Sequence, residues 1–154
     1  MLIRPMTAYE TRTISRAMKV MERLLVEGPR EMLGSPEAVR GYLRLRLFGL
    51  EHEVFVVLFL DNQNRLIEAR EMFRGSLSQT AVYPREIVKA ALALNAGAVI
   101  FAHNHPSGKC DPSMADETLT RALITALEPV EVRVLDHMIV AGTNVTSFAE
   151  RGLL

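Results

Sequence analysis

A single α/β domain, with a mixed sheet and helices on its faces, is the fold class the sequence predicts. Three features carry that expectation. Residues 53–60 and 98–102 are short runs rich in β-branched and aromatic residues and apolar on both faces, as buried central strands are. Residues 7–27, 84–94 and 113–127 bring apolar side chains round at helical spacing. The 154 residues are 49% hydrophobic and 23% charged, a composition that can bury a core without disulfide staples.

The first helix is expected over 7–27, with Ile14, Ala17, Met18, Met21, Leu24 and Leu25 on one face and Gly28-Pro29 as its stop. Arg12, Arg16, Lys19 and Arg23 form a second, basic stripe. That stripe reads either as the solvated face of an amphipathic helix or as a docking surface for a phosphate backbone. A second helix runs from Ser35-Pro36-Glu37 to about Phe48, with Ser35 as cap, Pro36 in the first turn and Gly49 as terminator. The apolar run 53–60 is the first strand, Asp61-Asn62-Gln63-Asn64 a turn, and 65–75 the returning strand of a hairpin. A polar connection, 76–83, leads to a helix opened by Pro84-Arg85-Glu86 and closed by Asn95-Ala96-Gly97. After the strand 98–102, a helix begins at Ser113 and halts before Pro129. Residues 130–140 make a further strand, Gly142-Thr143-Asn144 a turn, and 147–152 a short helical tail. Residues 1–34 are thus read as a helical arm and 35–154 as the domain that carries the chemistry.

The net charge is zero but uneven: residues 1–50 hold nine Lys/Arg against five Asp/Glu, and residues 51–154 nine against thirteen. This lacks the strong basic footprint of a dedicated nucleic-acid binder. One cysteine, Cys110, excludes an intrachain disulfide and fits a reducing compartment. No signal-peptide core and no run of membrane-spanning length is present, so a cytoplasmic protein without membrane contact is expected.

The chemistry concentrates in His103-Asn104-His105-Pro106-Ser107-Gly108, followed by Ser113 and Asp116. Strand side chains at i and i+2 share a face, so His103 and His105 can aim two imidazoles at one point. Pro106 keeps His105 extended, and Pro-Ser-Gly turns the chain away. Asp116, one turn into the next helix, is placed to return a carboxylate. Two nitrogens and one oxygen suit zinc with a fourth position open to water; iron is the main competitor. A divalent metal brings the pKa of its water to about 7, and a general base completes such a site. No acid lies between the histidines, so Glu51 and Glu53, beside the first central strand, are the candidates for that base. Ser113 offers a neutral donor to an oxyanion. The same Ser-x-x-Asp is also a helix-capping pattern, which competes for the Asp116 oxygens. Asp111 and Cys110 read as loop and rim residues, His137 as a core or supporting histidine, and His52 as a surface residue.

This arrangement of an upstream Glu, His-x-His-Pro and Ser-x-x-Asp resembles the JAMM motif of MPN/JAB-domain zinc metalloproteases, and most nearly its RadC-like branch. Residues 53–61, Val82-Tyr83-Pro84-Arg85-Glu86, 102–108, Leu135-Asp136-His137 and 147–153 carry the likeness, which extends over residues 36–154. The resemblance implies a cytidine-deaminase-like three-layer αβα sandwich. It implies zinc held by His103, His105 and Asp116, with Ser113 at the oxyanion and Glu53, ahead of Glu51, as the catalytic base. It further implies hydrolysis of a peptide or isopeptide bond in a peptide or protein substrate, often beside a ubiquitin-like modifier. The alternative is a DNA-repair-associated accessory or interaction module with a structural or vestigial metal site. Longer RadC-like proteins carry an N-terminal helix-hairpin-helix region, which binds DNA in other proteins; residues 1–34 offer one main helix only, and the basic stripe is the distinct support for a nucleic-acid partner.

Overall fold

Two runs of seven consecutive buried residues, Val54–Leu60 (β1) and Ala98–Asn104 (β3), lie side by side within a five-stranded sheet. A computed structural model describes residues 6–27, 36–75 and 81–154 of the chain. Strand β1 pairs antiparallel with Leu66–Arg74 (β2) through a tight turn, in which the Asp61 side chain accepts from the backbone N–H groups of Gln63 (2.8 Å) and Arg65 (2.9 Å). On its other side β1 pairs antiparallel with β3, Phe55 opposite His103. Strand β3 then runs parallel to Arg133–Ala141 (β4), which folds back on Asn144–Ser147 (β5). The sheet is therefore mixed, in the order β2-β1-β3-β4-β5.

Because β1 and β3 are apolar on both faces, each face needs a cover, and the helices supply two. Ala8–Glu27 (α1) and Pro36–Leu47 (α2) occupy one side, where Tyr42, Leu43 and Leu47 pack on Val56, Leu58, Ile100 and Met138. Pro84–Ala93 (α3) and Met114–Leu127 (α4) occupy the other, where Ile87, Ala91, Leu123 and Leu127 pack on Phe55, Val57, Phe59, Val99 and Phe101. The result is the three-layer αβα sandwich. Helix α4 is the crossover that a parallel β3–β4 pair requires.

Helix α1 rides on α2 through a polar knot. Tyr42 Oη donates to Glu22 Oε1 (2.7 Å), and Arg46 Nη1 donates to both groups (2.9 and 2.7 Å). Ile14, Ala17, Met18 and Met21 are half-buried, as the helical face predicts, but Leu24 remains exposed. Thr7 and Glu10 close a capping box that was not anticipated: the Thr7 N–H donates to Glu10 Oε2 (2.8 Å), and the Glu10 N–H to Thr7 Oγ1 (3.2 Å).

Three expectations need correction. The segment foreseen as a helical tail over 147–152 is a run of turns, and it follows a fifth strand, Asn144–Ser147, that was not foreseen. Alternation in so short a segment is a weak signal, and its pairing with β4 decides the matter. Strand β4 begins at Arg133, because Pro129 sits within a 3-10 turn, Glu128–Val130, that carries the chain out of α4. Strand β3 continues through His103 and Asn104, so the first histidine is part of the sheet. The Gly28-Pro29 stop, the Ser35 cap, the Leu25 side chain and residues 76–80 of the polar connection lie outside the described residues.

Leu58 is fully enclosed between α2 and the strands beside β1. Leu58→Ala is expected to lower unfolding free energy by about 2–5 kcal/mol in urea titrations, the range for truncating a buried leucine.

Candidate metal centre

The site forms where β3 ends and α4 begins. His103 lies in the sheet on the α3/α4 side, in register with Phe55, whose ring is near-parallel to its own (12°). His105 follows just past the strand. Its backbone N–H donates to the Val140 carbonyl (2.9 Å), and its carbonyl accepts from the Gly108 N–H (3.0 Å), closing the Pro-Ser-Gly turn. Gly108 takes a left-handed φ of 79°, which a residue with a side chain would adopt only under strain. The turn brings the Lys109 carbonyl back onto His105 Nδ1 at 2.7 Å. A carbonyl only accepts, so the Nδ1 of His105 carries the proton and its Nε2 presents a lone pair.

That lone pair points inward. His105 Nε2 lies 2.9 Å from His103 Nε2, and the Asp116 carboxylate lies 3.2 Å from His103 Nε2 (Oδ1) and 3.5 Å from His105 Nε2 (Oδ2). Among the described residues, His103, His105 and Asp116 form a group that could hold a metal ion, one ligand atom from each falling within 4.8 Å of the others. The donor set, two imidazole nitrogens and a carboxylate oxygen, fits zinc and leaves room for a fourth ligand. Burial by itself would raise the Asp116 carboxyl, but a proton taken up at Nε2 of His103 or His105 in place of a cation, the charge this gives His103, and a hydrogen bond from Ser113 hold it well below the usual carboxylate range. His105 is pushed up, chiefly by its bond to Asp116 against the cost of burial, with the Lys109 carbonyl and the charges of Asp116 and Glu53 adding to the shift.

Capping and ligation do not exclude each other at Asp116. Ser113 caps α4 and closes a capping box with Asp116. Oδ2 accepts from the Ser113 N–H and Oγ, both at 2.7 Å, while Oδ1 is turned to His103. A carboxylate has enough lone pairs for both duties. The Ser113 hydroxyl proton is thus held by Asp116, on the solvent-exposed side of the site.

Glu53 immediately precedes β1, and extending the β1–β3 register two steps beyond Phe55–His103 sets it level with His105. Asn104 holds it there. This buried side chain accepts from the Val54 N–H (2.8 Å) and donates to the His52 carbonyl (2.9 Å), so it clamps the backbone on either side of Glu53. The sequence reading passed over Asn104; its place between two candidate ligands at the end of a buried strand was the available signal. Glu51 is exposed.

The other chemistry-bearing residues stay outside the triad. Asp111 pairs with Arg151 (3.2 Å), and Cys110 Sγ donates to the Ile139 carbonyl (3.3 Å). His52, expected at the surface, is half-buried, and its Nε2 is buried with no hydrogen-bond partner. Its carbonyl accepts from Asn104 Nδ2 (2.9 Å). His137 is enclosed among Phe55, Phe101 and Phe148, and burial, then the nearby His103 charge, drives its pKa well down. Both of its ring nitrogens are hydrogen-bonded, to His103 Nδ1 (2.8 Å) and to Thr120 Oγ1 (2.6 Å).

Comparison with known proteins adds a family. The family model described as a RadC-like JAB domain matches residues 33–153. A UPF0758 protein of Leptothrix cholodnii is 63% identical over 125 residues, covering 81% of this chain and 56% of that protein. One from Aromatoleum aromaticum is 60% identical over 144 residues, covering 92% of this chain and 64% of that protein. One from Vibrio cholerae is 53% identical over 147 residues, covering 96% of this chain and 91% of that protein. The chain thus spans between half and two thirds of the length of the first two relatives.

Asn104→Ala orphans the Val54 N–H and the His52 carbonyl together. It is expected to cost about 1–3 kcal/mol of stability, measured by chemical denaturation, as for a buried group left without its partner.

Proposed function

The chain belongs to the RadC-like JAB domain family, and on that premise we propose that it is a zinc-dependent hydrolase of peptide or isopeptide bonds. The observation that carries the reading is the convergence of His103, His105 and Asp116 beside a strand end that also presents Glu53. The three ligands would hold the metal. A bound zinc supplies Lewis acidity and acidifies water toward neutrality.

The protein's own groups do the rest. Glu53, fixed by the Asn104 clamp, takes a proton from the attacking water as its oxygen adds to the scissile carbonyl. It then returns that proton to the departing nitrogen as the C–N bond breaks. Ser113 lies on the open side of the site, and rotation of its hydroxyl away from Asp116 Oδ2 would direct the O–H at the oxyanion. Its backbone N–H keeps the cap closed meanwhile. The substrate class is a peptide or protein, including one joined through an isopeptide bond to a ubiquitin-like modifier.

A second reading, a nucleic-acid-binding accessory module, draws on one observation. Arg12, Arg16, Lys19 and Arg23 are all exposed on α1. That reading predicts DNA binding that weakens steeply with salt and is lost on charge reversal of the four residues.

Metal content and cleavage of a peptide library separate the readings. Glu53→Gln is expected to keep zinc and lose turnover by at least the 10²-fold typical of removing a general base, whereas His103→Ala loses both. Unchanged turnover in Glu53→Gln would overturn the mechanism. Salt-sensitive DNA binding with no hydrolysis in the wild type would favour the second reading.

A further inference from the structure

We propose that Thr120 and His137 act as a positioning relay that fixes the tautomer of His103 and so presents its Nε2 lone pair to a metal; the inference rests on the metal-binding reading of the triad. The relay starts on the backbone of one ligand and ends on the ring of another. Thr120, one helical turn beyond Asp116 on α4, has its Oγ1 2.6 Å from the Asp116 carbonyl oxygen and 2.6 Å from His137 Nδ1. His137 Nε2 lies 2.8 Å from His103 Nδ1. All three side chains are buried, His103 at 1% exposure and Thr120 and His137 at none, so bulk water does not offer itself as a substitute partner.

One proton decides the direction of every bond. The Asp116 carbonyl can only accept, and the Thr120 hydroxyl has a single proton. Were that proton turned toward His137, two oxygen acceptors would face each other at 2.6 Å with nothing between them. The hydroxyl therefore donates to Asp116 and accepts from His137. His137 carries its proton on Nδ1 and leaves Nε2 as an acceptor. Phe55, Phe101 and Phe148 enclose that ring, and among the described residues its two nitrogens hydrogen-bond to Thr120 and His103. His137 Nε2 then takes the Nδ1–H of His103, and the His103 lone pair is left on Nε2, facing His105 and Asp116. The Lys109 carbonyl imposes the same tautomer on His105. Reversing one bond at Thr120 would reverse the chain and set a proton on the His103 nitrogen that faces the site.

The surroundings hold the relay still. Asp136, next to His137, accepts from the N–H groups of His137 (2.7 Å) and Ala149 (3.0 Å) and from Ser147 Oγ (2.6 Å), which fixes the strand end and the turn that seats Phe148 on the imidazole.

The test uses the full chain and zinc ions, titrated against a chromophoric chelator, with nitrogen-detected NMR of the histidine rings. Thr120→Val keeps the shape and removes the hydroxyl; Thr120→Ser restores it. The expected result is a zinc dissociation constant raised by about 10–100-fold in Thr120→Val, the usual effect of losing a group that orients a ligand, and close to wild type in Thr120→Ser. His137 should be protonated at Nδ1 in the wild type and Thr120→Ser, and shift to Nε2 in Thr120→Val. A merely structural role for Thr120 would move thermal stability without moving that tautomer. Equal zinc affinity in all three proteins, or a wild-type His137 protonated at Nε2, overturns the relay alone. A wild type that takes up no zinc overturns the metal reading and the relay with it.

Discussion

Two imidazole nitrogens 2.9 Å apart, with a carboxylate oxygen 3.2 Å from one of them, make a place where lone pairs crowd and which could hold a cation. Left to themselves, such groups repel and would turn away to water. The fold does not let them. His103 is locked in the middle of a three-strand pairing, β1-β3-β4. His105 is held by its own backbone bond to Val140 and by the Lys109 carbonyl. Asp116 is anchored by the cap of α4. Three separate local devices, none of them dependent on a metal, bring three candidate ligands to one point, as preorganised sites do.

The electrostatic cost of that crowding is met by structure further out. The Asp116 carboxylate stays ionised because burial, which disfavours it, is outweighed by its hydrogen bonds and neighbouring charge. His137 accepts the opposite fate and stays neutral in an aromatic enclosure. A neutral histidine bonded to His103 keeps charge out of the core while still supplying a directed acceptor. Behind it, Asp136 accepts from two backbone N–H groups at Oδ1 and from Ser147 Oγ at Oδ2, so both of its carboxyl oxygens have partners.

Much of this was legible from residue order alone. The two apolar runs announced β1 and β3 because strands covered on both faces must be apolar on both faces. Pro84, Gly49 and Ser113 marked helix ends for steric and capping reasons that act within a few residues. Strand β5 was missed because it is four residues long and owes its state to β4 across a two-residue turn. His52, read as a surface residue, is half-buried, and its carbonyl bonds to Asn104, 52 positions away, a pairing that residue order does not show.

By itself the sequence determined which groups could do chemistry here: His103 and His105 on one strand face, a Ser-x-x-Asp at a helix start, and glutamates ahead of a buried strand. Those are short-range facts, set by backbone periodicity and side-chain type. Only the tertiary structure decided how the groups meet. It divided the two oxygens of Asp116 between cap and histidines, levelled Glu53 with His105 through Asn104, and threaded Thr120 and His137 behind His103. The reason is that hydrogen-bond direction depends on which partners a fold brings within 3 Å, and those partners sit up to 52 residues apart in the chain.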